Sequence, residues 1–355
     1  MNPIYILAAI LIFGFLVAIH ELGHFTAAKL SGVRVNEFSI GMGPAIWKKE
    51  TKETQYALRA LPFGGYCALE DGDDGDERSF FRQSFWKKAV ILAAGSFMNF
   101  LTGLVIIFCL YLGAGAFLTD QIAGFAPEFP LEGETGLMEG DIFYKIDGYR
   151  TYLRGSASTF LSYHTGDTID IEVIRDGEHI VLKDFPMQRR EYTGNDGSTY
   201  TGYGVYVGAH AEEATSLTRL KYTWNTGMNF VQLVRFSLRQ LVSGGASLND
   251  LSGPVGIVTT MGEIGSAAET KRAAFEGILY FGALLAVNLS VMNLLPIPGL
   301  DGGQIFFLIA DTVSMLLLRK KIPQKYQTAV NGAGLALLMV FMLMITLNDV
   351  TKFFR

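Results

Sequence analysis

The chain has 355 residues, of which half are hydrophobic and only 18% charged, and its mean hydropathy is +0.28. It is too apolar for an ordinary soluble protein of this length, and the composition points to several membrane passes. A net charge of −5 and a pI near 5.6 leave no basic footprint for nucleic acid. The two cysteines, Cys67 in a loop and Cys109 in a hydrophobic stretch, give neither a disulfide framework nor a metal cluster.

The first apolar run leads from Ile4 to Ile19 straight into His20-Glu21-Leu22-Gly23-His24. It has no basic start and no small-residue cleavage site, so it reads as a spanning helix and not as a removed signal. Continued to Leu30 it makes roughly 40 Å of helix, enough to cross with tilt, and His20 lies about 24 Å along it, nearer the far face than the middle. Residues four apart share a helix face, so both imidazoles can reach one metal ion, with Glu21 close enough to take a proton from a metal-bound water. This is the zincin pattern H-E-x-x-H. With 5 histidines in the whole chain, chance is a poor explanation. Helix-to-helix pairing of His and Glu is the structural alternative, but ionisable groups at membrane depth are costly and usually functional.

After this helix, Asn36–Lys49 and Gln55–Leu69 are rich in β-branched, aromatic and glycine residues around the polar turn Lys49-Glu50-Thr51-Lys52-Glu53, which predicts a β-hairpin. Such a hairpin offers an edge to an extended peptide, although a hairpin without substrate contact fits the pattern as well. The acidic run Glu70–Glu77 lacks the closing glutamate of a calcium loop and reads as a solvated loop.

Ala89–Phe117 is a second span. Residues 122–208 are polar and turn-rich, with alternating strands such as Thr168–Ile174 and a hairpin turn at Arg175-Asp176-Gly177-Glu178, and so form a small inserted domain. His164, His179 and His210 show no ligand spacing and read as surface residues. From Ser216 to Leu241 an apolar stripe (Leu217, Leu220, Trp224, Met228, Val231, Val234, Leu238, Leu241) with Arg219, Lys221, Arg235 and Arg239 off it fits a helix at the membrane interface, or a core-facing one. Ala273–Leu295 and Ala329–Leu347 complete four spans.

Four spans put both termini on one side. The loops on the other side, with Lys88 beside them, hold Lys48, Lys49, Lys52, Lys87, Arg319, Lys320, Lys321 and Lys325, so the positive-inside rule makes those loops cytosolic. Between the last two spans, Pro296 and Pro298 break the backbone of Asn293-Leu-Leu-Pro-Ile-Pro-Gly-Leu-Asp301-Gly-Gly. Unwound backbone inside protein is how membrane proteins set polar groups at depth. A catalytic zinc site takes three protein ligands and water, and Asp301 is the best third candidate. It also opens a new apolar helix, where an ordinary N-cap is the more common role.

HELGH in a first span, Phe38-Ser39-Ile40-Gly41-Met42-Gly43-Pro44, Pro62-Phe63-Gly64-Gly65-Tyr66, Ser252-Gly253-Pro254-Val255-Gly256 and the N-x-x-P-x-P-x-L-D-G pattern at Asn293–Gly302 together resemble the site-2 intramembrane metalloproteases, most closely the bacterial regulator-of-sigma type. The likeness covers nearly the whole chain. It implies a polytopic α-helical membrane protein with a membrane-associated β-hairpin, in which His20, His24 and Asp301 bind Zn2+, Glu21 is the base, and Asn293 contacts substrate or the developing oxyanion. It also implies that the inserted domain is an extracytoplasmic PDZ with landmarks at Gly136–Asp141 and Ile146-Asp147-Gly148. The implied division is 1–121 and 273–355 for the protease core, 122–208 for the PDZ, and 209–272 for the interfacial helix and a loop. The implied setting is the bacterial cytoplasmic membrane, with the active site toward the cytosol. Implied substrates are single-span proteins, anti-sigma factors pre-trimmed by another protease or remnant signal peptides, met in the lipid bilayer. Two features depart from the family: Ser96 stands where Ala-Ala-Gly-Pro is common, and there is room for one PDZ where some relatives carry two. The competing readings are a PDZ membrane scaffold with a structural metal, which would want a fourth protein ligand, and a metal transporter, which would want polar groups along several spans.

Overall fold

The computed structural model describes residues 3–70, 76–127, 129–193, 199–245 and 252–352. Most of the acidic run lies outside them. The chain divides into two compact units, residues 1–106 with 234–355, and residues 107–233.

In the first unit, α1 (Pro3–Leu30) runs into a hairpin of β1 (Val35–Glu50) and β2 (Gln55–Leu69), followed by α2 (Phe85–Tyr111). The hairpin turn is closed by Thr51, whose backbone N–H and hydroxyl donate to the Thr54 carbonyl at 3.1 and 2.7 Å. Its register folds back on itself. Phe38 stands beside both Cys67 and Tyr56, and Ile40 beside both Gly65 and Leu58. The two long strands therefore make four short segments, with Ala45–Glu50 at one margin and Gly65–Leu69 at the other. Gly41 and Gly43, with φ of 86° and 83°, supply the left-handed backbone at the bend. Ala27, Ala28, Val33, Val35 and Ile91 form a buried cluster that joins α1, the hairpin and α2.

Four further helices finish this unit: α5 (Pro254–Ala267), α6 (Lys271–Asn293), α7 (Asp301–Leu318) and α8 (Gln324–Lys352). Residues 254–267, connecting chain in the sequence reading, are helical because they have partners. Met261 of α5 is buried against Ala9 and Leu16 of α1 and Leu285 and Ala286 of α6. The N-terminus of α5 is capped from α8, where the Asp349 carboxylate accepts from Gly253 and Gly256 N–H at 2.8 Å each. Close packing of α2 on α6 depends on Gly103, where a Cβ would stand 2.8 Å from Val287 Cγ2.

By length and composition, α1, α2, α6, α7 and α8 are each able to cross a membrane, one more than the four expected. The addition is α7, at 18 residues the shortest of them. α2 starts before Ala89 and stops at Tyr111, because the backbone past Gly113 enters a strand. Large apolar side chains such as Leu316, Leu317 and Leu337 are exposed on outer helix faces, as lipid-facing residues must be.

The second unit holds a sheet in the order β10 (Val205–Glu213), β3 (Ala116–Phe125), β4 (Ile142–Ile146), β6 (Ile169–Arg175), β7 (Glu178–Phe185), with β5 (Tyr149–Arg150) paired to β4. A smaller pair, β8 (Arg190–Thr193) and β9 (Thr199–Gly202), lies beside it in sequence. Alternation along β6 buries Ile169, Ile171 and Val173 with Phe143, Ile146 and Phe160. Asp176 and Gly177, with φ of 50° and 87°, make the expected tight turn between β6 and β7. Helix α3 (Ser156–Tyr163) starts on the buried carboxylate of Asp120, which accepts from Gly155 and Ala157 N–H at 2.7 Å each. His164 is not a surface residue as read from sequence: its ring is largely covered and lies 2.7 Å from Asp147 at the β4–β5 turn. On α4 (Ser216–Ser243), Tyr222, Thr226 and Phe230 are buried, whereas Leu217, Leu220 and Trp224 of the predicted stripe are exposed. Those three residues do not face a core within the described chain.

Candidate active site

His20 and His24 come from one face of α1, one turn apart, with ring centroids 4.8 Å apart and nearly perpendicular planes. The third member arrives from a break. α6 ends at Asn293, and short turns carry the chain through Pro296 and Pro298 to α7. The new helix can begin inside this loop because Gly302 and Gly303 have no side chains. A Cβ at Gly302 would stand 2.2 Å from the Leu295 carbonyl oxygen, and one at Gly303 would stand 2.4 Å from that of Ile297. Leu300 occupies the N-cap of α7, so Asp301, the first helical residue, is free of the capping role weighed above. Gly334 of α8 backs the loop, its ideal Cβ falling 2.3 Å from the Pro298 carbonyl oxygen.

Asp301 Oδ2 lies 3.1 Å from His20 Nε2 and 3.3 Å from His24 Nε2, and the two Nε2 atoms are 3.2 Å apart. Tetrahedral zinc with bonds of about 2.0–2.1 Å holds its ligand atoms about 3.3 Å from one another, so this near-equilateral triangle has the right size. Asp301 Oδ2 is buried and has no hydrogen-bond donor among the described residues. Three lone-pair atoms converging in a covered site repel one another unless a cation sits among them. These are also the only His, Cys, Asp or Glu side chains among the described residues that cluster closely enough to hold a metal. The residues therefore fit zinc.

The wall behind the imidazoles is α2. His24 Nδ1 donates to the Ile91 carbonyl at 2.8 Å, which fixes the tautomer and leaves Nε2 as the free lone pair. At Gly95 an ideal Cβ would stand 2.4 Å from His24 Nε2 and 2.8 Å from His20 Cε1. At Gly23 it would stand 2.4 Å from the Ala94 carbonyl oxygen. Asn99, also buried, faces His20 Nδ1 at 3.5 Å. Ile91, Gly95 and Asn99 recur every fourth residue on one face of α2. The sequence reading missed them, although a small residue and an amide four apart in an apolar span were a usable signal.

Glu21 also borders the hairpin, where Gly65 comes so close that an ideal Cβ on it would lie 3.2 Å from Glu21 Cγ. The Gly65–Leu69 margin thus borders the proposed base. Asn293 sits half-buried at the C-terminal end of α6, eight residues before Asp301.

The model of peptidase family M50 matches residues 8–341. A Clostridium perfringens protein whose name carries the words zinc metalloprotease is 34% identical over 98% of both chains. A similarly named Campylobacter jejuni protein is 33% identical over 98% of this chain and 93% of its own. The zinc metalloprotease RasP of Shouchella clausii is 28% identical over 98% and 99%. Matched over almost its full length, and carrying a half-buried triangle of the size that zinc requires, the chain belongs to peptidase family M50, the site-2 proteases, and is a multi-pass membrane zinc metalloprotease.

Proposed function

We propose that this protein is an intramembrane endopeptidase that cuts single-span membrane proteins within or near the bilayer, with zinc held by His20, His24 and Asp301. The observation that carries the reading is the triangle of ligand atoms 3.1–3.3 Å apart, brought from α1 and from the α6–α7 break. When bound, zinc supplies Lewis acidity and lowers the pKa of its water to about 7. Glu21 takes the proton released as water attacks the peptide carbonyl, then delivers it to the departing amine. The Asn293 amide donates to the carbonyl oxygen as negative charge develops there.

A substrate helix hides its carbonyls in its own hydrogen bonds and must unwind before attack. The Gly65–Leu69 margin, pressed against Glu21, is suited to hold it extended by strand addition. The inserted unit, a sheet with α3 beside it, supports the PDZ reading; the bacterial inner membrane, with this unit outside and the active site toward the cytosol, is proposed from the positive-inside rule alone. The exposed Leu217, Leu220 and Trp224 support α4 as an interfacial helix. Substrates of the anti-sigma or remnant-signal-peptide kind, trimmed beforehand, would pass such a domain where bulky ones would not.

The test is cleavage of a single-span protein by detergent-purified full chain, with and without the substrate's outer domain. Wild type should cut the trimmed form, and Glu21→Gln should keep its zinc yet lose at least a hundredfold in rate. Cleavage retained by Glu21→Gln would sink the base assignment. Equal rates on trimmed and untrimmed forms would sink the size filter.

A further inference from the structure

Asn99 is 1% exposed, and its amide is unbalanced. The NH2 group stands 3.5 Å from His20 Nδ1, while Oδ1 is buried with no donor among the described residues. A histidine that offers Nε2 to a metal carries its proton on Nδ1, and an N–H cannot pair with an NH2. A half-turn of the carboxamide exchanges oxygen and nitrogen without changing its shape. It puts an acceptor on the His20 Nδ1 proton and gives the stranded oxygen its donor.

We propose that Asn99 is the positioning residue of His20, its Oδ1 accepting the Nδ1 proton and so fixing the ring with Nε2 turned to the metal. The arrangement is the counterpart of the His24–Ile91 bond. Both acceptors come from the same face of α2, two turns apart, with Gly95 between them leaving room for the rings. The inference rests on the zinc-site reading above and adds an outer contact to it. Outer hydrogen bonds of this type typically change metal affinity by about 10–100-fold.

The experiment is zinc competition with a chromophoric chelator on the purified full chain, comparing wild type, His20→Ala, Asn99→Leu and Asn99→Asp. Asn99→Leu, near in shape and without an acceptor, should bind zinc about 10–100-fold more weakly. Asn99→Asp, a charged acceptor at the same place, should bind it at least as tightly as wild type and release it several-fold more slowly. Zinc lost on His20→Ala but held at wild-type affinity by Asn99→Leu overturns this inference alone. Zinc held equally by wild type and His20→Ala overturns the metal site, and this inference with it. If Asn99→Leu does not fold, Asn99→Asp decides: slower release supports the acceptor role, and an unchanged or faster release overturns it.

Discussion

A methyl group at position 95 would collide with both imidazoles, at 2.4 Å from His24 Nε2 and 2.8 Å from His20 Cε1. Gly95 lies in a regular helix, and the three nearest atoms that a side chain there would meet all belong to the two imidazoles. Gly95→Ala should therefore lower zinc affinity at least tenfold while the metal-free chain melts within a few degrees of wild type, as alanine is the better helix former. Parallel zinc titration and thermal melting check this. A large loss of metal-free stability would show that Gly95 serves helix packing instead. The same contrast explains what could be read from sequence. His20, Glu21 and His24 declare themselves by local spacing, and Asp301 by its place after a double-proline break. Gly95, Asn99 and the Ile91 carbonyl act through contacts 67 to 79 residues distant, and no spacing rule reports those.

The hairpin is the element that must hold its shape beside Glu21, and Arg59 ties its segments together. Its guanidinium donates to Ser39 Oγ and the Gly43 carbonyl at 2.7 Å each, to Glu37 at 2.6 Å and to Tyr66 Oη at 2.5 Å. Burial alone would raise the Glu37 pKa, but hydrogen bonds from Tyr66 and Arg59 outweigh it and hold the carboxyl below its ordinary 4.5. A depressed folded-state value stabilises the fold fully above pH 4.5, and that contribution disappears as pH falls through the lowered value. Hydrogen exchange across Gly65–Leu69, normalised to intrinsic rates, should accelerate in that acid window in wild type, with no such step in Glu37→Gln. A step of equal size in both would assign it to another group. Strand positions here were legible because β-branched and aromatic residues flank a polar turn. The folding back of the register was not, because it depends on positive-φ glycines and on pairings between non-adjacent segments. Helix α5 was invisible for a similar reason: its cap, Asp349, is 93 to 96 residues away.

Two long apolar helices and a broken connection bring together the three side chains proposed to hold zinc. The difference between four expected spans and five candidate helices lies in α7, whose 18 residues make about 27 Å of helix against a hydrocarbon core of about 30 Å. His20, His24 and Asp301 have no fourth side chain of ligand type clustered with them among the described residues, which is the composition expected of a catalytic zinc site and not of a structural clamp. Zinc K-edge absorption on the purified full chain tests this most directly. One zinc per chain is expected, with only nitrogen and oxygen neighbours at about 2.0–2.2 Å, two of them imidazoles, and that metal should be lost on Asp301→Ala. A sulfur shell near 2.3 Å, or an unchanged spectrum in Asp301→Ala, would contradict it.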